Sequence, residues 1–141
     1  MDLETVAADD FGRSLSGLGL NLLTRDVRRE AAFLVSVFGM TAHRVSADFA
    51  ILRWRGQTIQ LHADATYHAH PLPGLLPESG PRGAGAEFRL FGTDPDAAAA
   101  QAEAAGGMVL QAPADKPHGL REAFLLSPDG YCWVPGVPRR P

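Results

Sequence analysis

The segment "QLHADATYHAHPLPG", residues 60–74, holds His62, His68 and His70 together with Gln60 and Asp64, and these are three of the chain's five histidines. Imidazole and carboxylate together suit Zn, Fe, Mn, Ni or Co, and three protein ligands with one open position is the catalytic form of such a centre. The same residue types serve acid–base chemistry near neutral pH. The spacing His-x5-His-x-His matches no established zinc signature, so residue type suggests a chemistry that spacing does not specify. Which chemistry is available depends on the elements that position these groups.

An internal repeat supplies those elements. Shifting the chain by 68 positions superposes Gly17 on Gly85, Leu22 on Leu90, Asp26 on Asp94, Ala31 on Ala99, Ala32 on Ala100, Gly39 on Gly107 and Met40 on Met108. In the first half, "GLGLNLLT" alternates as a strand with Leu18, Leu20 and Leu22 on one face. Asp26 caps a helix whose Val27, Ala31, Leu34, Val35 and Phe38 fall at helical spacing, and Gly39 stops it. Strands follow in "TAHRVSA", "FAILRWR" and "QTIQLHA", with turns at Asp48 and Gly56.

The second half repeats the plan. "AEFRLFG" is a strand, Asp94-Pro95 opens a helix through "DAAAAQAEAA", and "MVLQA", "GLREAFLL" and "YCWV" are strands. The spacing therefore predicts an α+β fold of two tandem βαβββ modules, over residues 17–66 and 85–136, whose curved mixed sheets form a cleft. The Pro/Gly-rich stretch 67–84 reads as a linker, residues 1–16 as a tail or short docking helix, and residues 137–141 as a tail.

Composition narrows the function classes. A net charge of −3 gives no general attraction to nucleic acid or to an anionic membrane surface, and "RWR" without further basic residues is no nucleic-acid patch. No apolar run is long enough to span a bilayer, and "MDLETVAADD" lacks the apolar region of a secretion signal. The single Cys132 permits no internal disulfide and reads as a small buried hydrophobe. A cytoplasmic location is the expectation.

The duplicated strand–Asp–helix–Gly plan, with "LLSPDGYCWVPG" before the last strand, resembles the vicinal oxygen chelate superfamily of glyoxalase I, bleomycin- and fosfomycin-resistance proteins and extradiol dioxygenases. The resemblance covers residues 17–136, with Ser127 where the family usually carries Asp. It implies a small-molecule cleft, a homodimer supported by an apolar edge such as "FAILRW", and metal ligands on the first and fourth strands of each module. The positions so implied are Gly19, Gln60, Glu87 and Val134. Gly19 and Val134 cannot ligate, so the resemblance implies a family metal centre that has lost two of its positions.

If Gln60 faces the cleft, alternation puts Thr58 and His62 beside it, and Glu87 shares its face with Arg89. Asn21 and Glu122 or Arg121 complete a polar, ionisable floor, and His118, at the entry to the strand "GLREAFLL", reads as a ligand-binding gate or as a turn residue. Three readings follow. In one, His62, Glu87 and one of His68, His70 or His118 hold a divalent metal at a relocated site. In another, the site is metal-free: His62 and Glu87 are acid–base or hydrogen-bonding groups, and Arg89 or Arg121 holds an anionic ligand. In the third, His68 and His70 are solvated loop residues, Tyr67 packs at the loop base and His62 is a satisfied core histidine. The resemblance implies that an enzyme here would be a lyase, isomerase or dioxygenase, with Glu87 as base for proton transfer beside a carbonyl. The non-catalytic alternative is a protein that sequesters a drug or toxin.

Overall fold

Asp26 and Asp94, the paired aspartates of the repeat, each start a helix. The Asp26 carboxylate accepts from the Arg29 N–H at the head of α1 (Val27–Phe38), and Asp94 accepts from the Asp96 N–H at the head of α2 (Pro95–Ala102). Each side chain satisfies a donor that a helix start leaves open. The first of these helices ends at Gly39, whose left-handed φ of 70° returns its N–H to the Leu34 and Val35 carbonyls. The second ends at Ala102, short of the expected Ala105, and the chain continues in turns to Gly106. An additional N-terminal helix, Ala8–Ser14, buries Phe11. The computed structural model describes residues 1–141.

The strands β1 (Leu20–Thr24), β2 (Thr41–His43), β3 (Phe49–Trp54) and β4 (Gln57–Ala63) form one sheet in the order β1-β4-β3-β2. A second sheet, in the order β5-β8-β7-β6, is built from β5 (Gly83–Phe91), β6 (Met108–Asp115), β7 (Leu120–Leu126) and β8 (Tyr131–Pro138). In both, the first strand is parallel to the last and the other pairings are antiparallel. The α+β fold with paired βαβββ modules is thus the one the repeat predicts. β1 and β5 are both edge strands and no backbone ladder joins them, so the sheets do not close on each other.

One apolar core runs through both modules, with Leu52 and Leu61 of the first sheet, Phe33 and Phe38 of α1, Ala98 of α2 and Trp133 of the second sheet. Phe38 and Trp133 meet with ring centroids 5.8 Å apart. Val35, expected on the apolar stripe of α1, is exposed, whereas Phe33, Val37 and Glu30 are buried. The helix packs against α2 and the second module as well as its own sheet, which widens and rotates its buried arc. Leu18 is 92% exposed because β1 begins only at Leu20. "FAILRW" is no edge: it is β3, flanked by β4 and β2, with Ala50, Ile51 and Leu52 buried.

A polar latch joins the modules where the "SPDG" turn meets the β1–α1 junction. The buried Asp129 carboxylate accepts from the Arg25 N–H at 2.7 Å and from its guanidinium at 2.9 Å. Burial raises the Asp129 pKa, but the Thr24 hydroxyl and the two Arg25 donors outweigh it and leave the carboxyl below its usual value. Tyr131 donates its hydroxyl to the Leu23 carbonyl at 2.6 Å, and burial pushes its pKa up to about 12. The Ser127 hydroxyl accepts from the Tyr131 N–H at 3.1 Å. Gly130 has a φ of 82°, and a Cβ there would come within 2.3 Å of Pro81, so the returning linker requires glycine.

Candidate functional site

Alternation in β5 sends Phe88 and Leu90 toward the core and leaves Glu87 and Arg89 on the opposite face. Arg89 donates to Glu87 at 2.8 Å and also to Glu122 of β7. Glu122 is buried, and His118 Nε2 lies 3.5 Å from its other oxygen. Four of the expected site residues therefore meet on one face. Arg89 bridges two carboxylates, so its charge is already compensated and is not free to hold an anion. Cys132 belongs to the same face; burial, then the nearby Glu87 charge, raise its thiol pKa, and Arg89 offsets part of that.

Arg121 is not part of this cluster. Its guanidinium donates twice to Asp96 at the start of α2, both at 2.8 Å, and to Asp115 at 3.3 Å. Ala123 and Leu125 of β7 are core residues, so alternation alone puts Glu122 on the cleft face and Arg121 on the helix face.

On the first sheet, Asn21 and Gln60 are neighbours in the parallel register of β1 and β4. His62 lies between Phe49 and Tyr67, with ring centroids 5.1 and 5.2 Å away and both rings tilted to it by 59°. Burial lowers its pKa, and its Nε2 has no partner. His68 and His70 are exposed and locally bonded: His68 Nδ1 lies 2.9 Å from the Ala65 carbonyl, and His70 Nδ1 accepts from the Leu72 N–H at 3.3 Å. Asp64 is clamped by the Arg82 guanidinium through contacts of 2.6 and 2.7 Å. The histidine-rich segment thus anchors the linker and does not converge on a point.

No group of three or more His, Cys, Asp or Glu side chains is arranged to hold a metal ion. His62, His68 and His70 are not brought to Glu87, Gly19 offers no side chain, and Val134 is buried beside Arg89 in the sheet. The residues present do not fit the metal centre that the resemblance implies, relocated or otherwise.

The two modules share a cavity of about 320 Å³ where the edges of β1 and β5 approach. Leu20, Ile59, Phe88, Leu90 and Trp133 make its apolar wall; Gln57, Thr58, Glu87 and Arg89 make its polar rim. Gln57 and Thr58 were not among the expected site residues. Thr58 was nevertheless legible as a member of the His62 face two residues before Gln60. A larger space of about 570 Å³ lies between the N-terminal segment and the first sheet, but its lining is mostly polar. An apolar wall with a few convergent polar groups is the better small-molecule site.

A family model described as the Glyoxalase/Bleomycin resistance protein/Dioxygenase superfamily matches residues 18–134. The chain belongs to this superfamily. Among solved structures, this glyoxalase-superfamily chain is similar to a glyoxalase/bleomycin resistance protein/dioxygenase family enzyme from Burkholderia phytofirmans PsJN, with 22% identity, TM-score 0.69 and coverage of 99% of this chain and 100% of that one. It is also similar to a glyoxalase-related enzyme from Fulvimarina pelagi, with 18% identity, TM-score 0.66 and coverage of 86% and 87%. TioX from Micromonospora sp. ML1 shares 22% identity, TM-score 0.62 and coverage of 89% and 100%. At these identities the likeness is one of fold. No curated protein matches the chain. No helix is long and apolar enough to cross a membrane.

Proposed function

We propose that this glyoxalase-superfamily protein binds a small molecule with an apolar body and a polar end in the cavity between β1 and β5. The observation that carries the reading is the composition of that cavity, with an aromatic and aliphatic wall contributed by both modules and a rim of Gln57, Thr58, Glu87 and Arg89. The ligand is polar at one end and not a simple anion, because Arg89 is already held between Glu87 and Glu122. Binding without turnover is favoured over the lyase, isomerase and dioxygenase alternatives. Glu87, the expected base, is engaged by Arg89, and no metal-holding cluster exists to stabilise an enolate. A homodimer in the cytoplasm belongs to the same proposal, with β6 as its contact because Met108 and Leu110 are exposed on that edge strand.

A thermal-shift screen of small amphipathic compounds, followed by calorimetry on each hit, tests this. The expected result is one saturable site per chain, weakened roughly tenfold or more by Leu20→Trp, which fills the cavity, with the compound recovered unchanged. Binding indifferent to Leu20→Trp would place the site elsewhere. Conversion of the compound would restore the enzymatic reading. Sedimentation of wild type against Leu110→Lys checks the dimer.

A further inference from the structure

The β3–β4 hairpin holds two arginines, Arg53 and Arg55, through side-chain hydrogen bonds. Its two-residue turn, Arg55-Gly56, has positive φ at both positions, 48° and 76°. That is the geometry of a tight hairpin turn, in which Asn, Asp or Gly normally precedes the glycine and arginine is strained. What holds Arg55 there is its own side chain. The guanidinium donates to the Phe91 carbonyl at 3.0 Å and to the Gly92 carbonyl at 2.9 Å, and it lies 4.8 Å from the centre of the Trp54 ring. Arg53, two residues earlier, is fixed in the same manner, donating to the Thr58 hydroxyl at 2.9 Å and the Gly56 carbonyl at 3.1 Å.

Both arginines line one cavity of about 470 Å³, together with Thr41, Thr93, Gly56 and Gly92. No acidic side chain lines it, and neither arginine takes part in any ion pair of the chain. Each guanidinium has five N–H donors and each spends only two on neutral oxygens. The contrast with Arg89, whose charge two carboxylates compensate, is direct. Guanidinium groups with spare donors and no counter-charge suit a multiply charged oxyanion. The cavity is larger than a bare phosphate, which leaves room for an organic substituent.

From this geometry we infer that Arg53 and Arg55 form a binding site for a phosphate monoester dianion, separate from the cavity between β1 and β5.

The test is an amide-resolved NMR titration of the full chain with inorganic phosphate, and with acetate as a monoanion, at constant ionic strength. Saturable shifts at Gly56 and Gly92, with phosphate bound at least tenfold more tightly than acetate, are expected. Arg53→Gln should weaken phosphate by about tenfold or more. Arg55→Lys, which keeps the charge and loses the fork, guards against a hairpin that opens in Arg55→Gln, and it should weaken phosphate as well. Arg28→Gln, at an exposed arginine of α1, should leave binding unchanged. Absence of saturation, equal affinity for acetate, or equal weakening in Arg28→Gln would overturn the inference.

Discussion

The backbone N–H of Asp129 donates to Oε1 of Glu30 at 2.6 Å, tying the last turn of the second module to the first helix of the first. Glu30 is fully buried, its second oxygen has no partner, and burial pushes its pKa up from 4.5 to about 7. The Asp129 N–H and the Ser127 hydroxyl resist that rise, and the Asp129 charge adds to it. Because the folded state holds this proton more tightly than the unfolded chain does, the associated stability is complete below about pH 4.5 and is lost as pH rises through 7. The shift corresponds to about 3 kcal/mol. Urea denaturation of wild type should therefore show falling stability from pH 5 to 8, and Glu30→Gln, which mimics the neutral acid, should flatten that slope. A slope identical in both proteins would remove Glu30 as its source.

Asp129 has the opposite sign. Its carboxyl is held below the usual range, so its stabilisation is present above about pH 4 and is lost only in stronger acid. Replacing it with Ala leaves the Arg25 N–H without its acceptor and its guanidinium with only the Pro77 and Gly80 carbonyls. Because Arg25 is partly exposed, removing its buried partner costs about 1–3 kcal/mol, chiefly from the orphaned N–H. Asp129→Ala should lose that amount at neutral pH by denaturant titration, and a loss below about 1 kcal/mol would mean the latch is not structural.

The fold was legible because its signals are local and doubled. Asp26 and Asp94 cap helices in the structure as the repeat predicts, and strand alternation correctly separated Phe88 and Leu90 from Glu87 and Arg89. What could not be read was partnership. His62, His68 and His70 look like a ligand set by type, yet His62 packs between two tilted rings with its Nε2 unpartnered, and a local carbonyl and a local N–H hold His68 and His70. The bridge from Arg89 to Glu122 joins β5 to a strand two places away in the sheet, a contact that no spacing encodes. The burial of Glu30 follows from docking of the second module on α1, which a helical wheel drawn for one module does not contain.

Gly92 meets the Arg55 guanidinium so closely that a Cβ would come within 2.5 Å of it, and its φ is 87°. Gly92→Ala should cost about 1–3 kcal/mol, partly from backbone strain and partly from displacing Arg55. In an Arg55→Ala background only the backbone part remains, so the two substitutions should couple by about 0.5 kcal/mol or more in a double-mutant cycle. Strict additivity would mean that Arg55 does not occupy the position described.

Cys132 tests the electrostatics of the Glu87 face without any ligand. The residue is 7% exposed, and burial followed by the Glu87 charge raises its thiol pKa, with Arg89 opposing. Since the thiolate is the reactive form, modification by a disulfide reagent near neutral pH should be at least about a hundredfold slower in the folded protein than in urea. Glu87→Gln removes the charge that disfavours the thiolate and should speed the folded-state reaction, whereas Arg89→Met should slow it. Opposite effects of the two substitutions, with unchanged rates in urea, would confirm that both charges act on the sulfur across the sheet face. Parallel changes would point to altered access and would sink the electrostatic account.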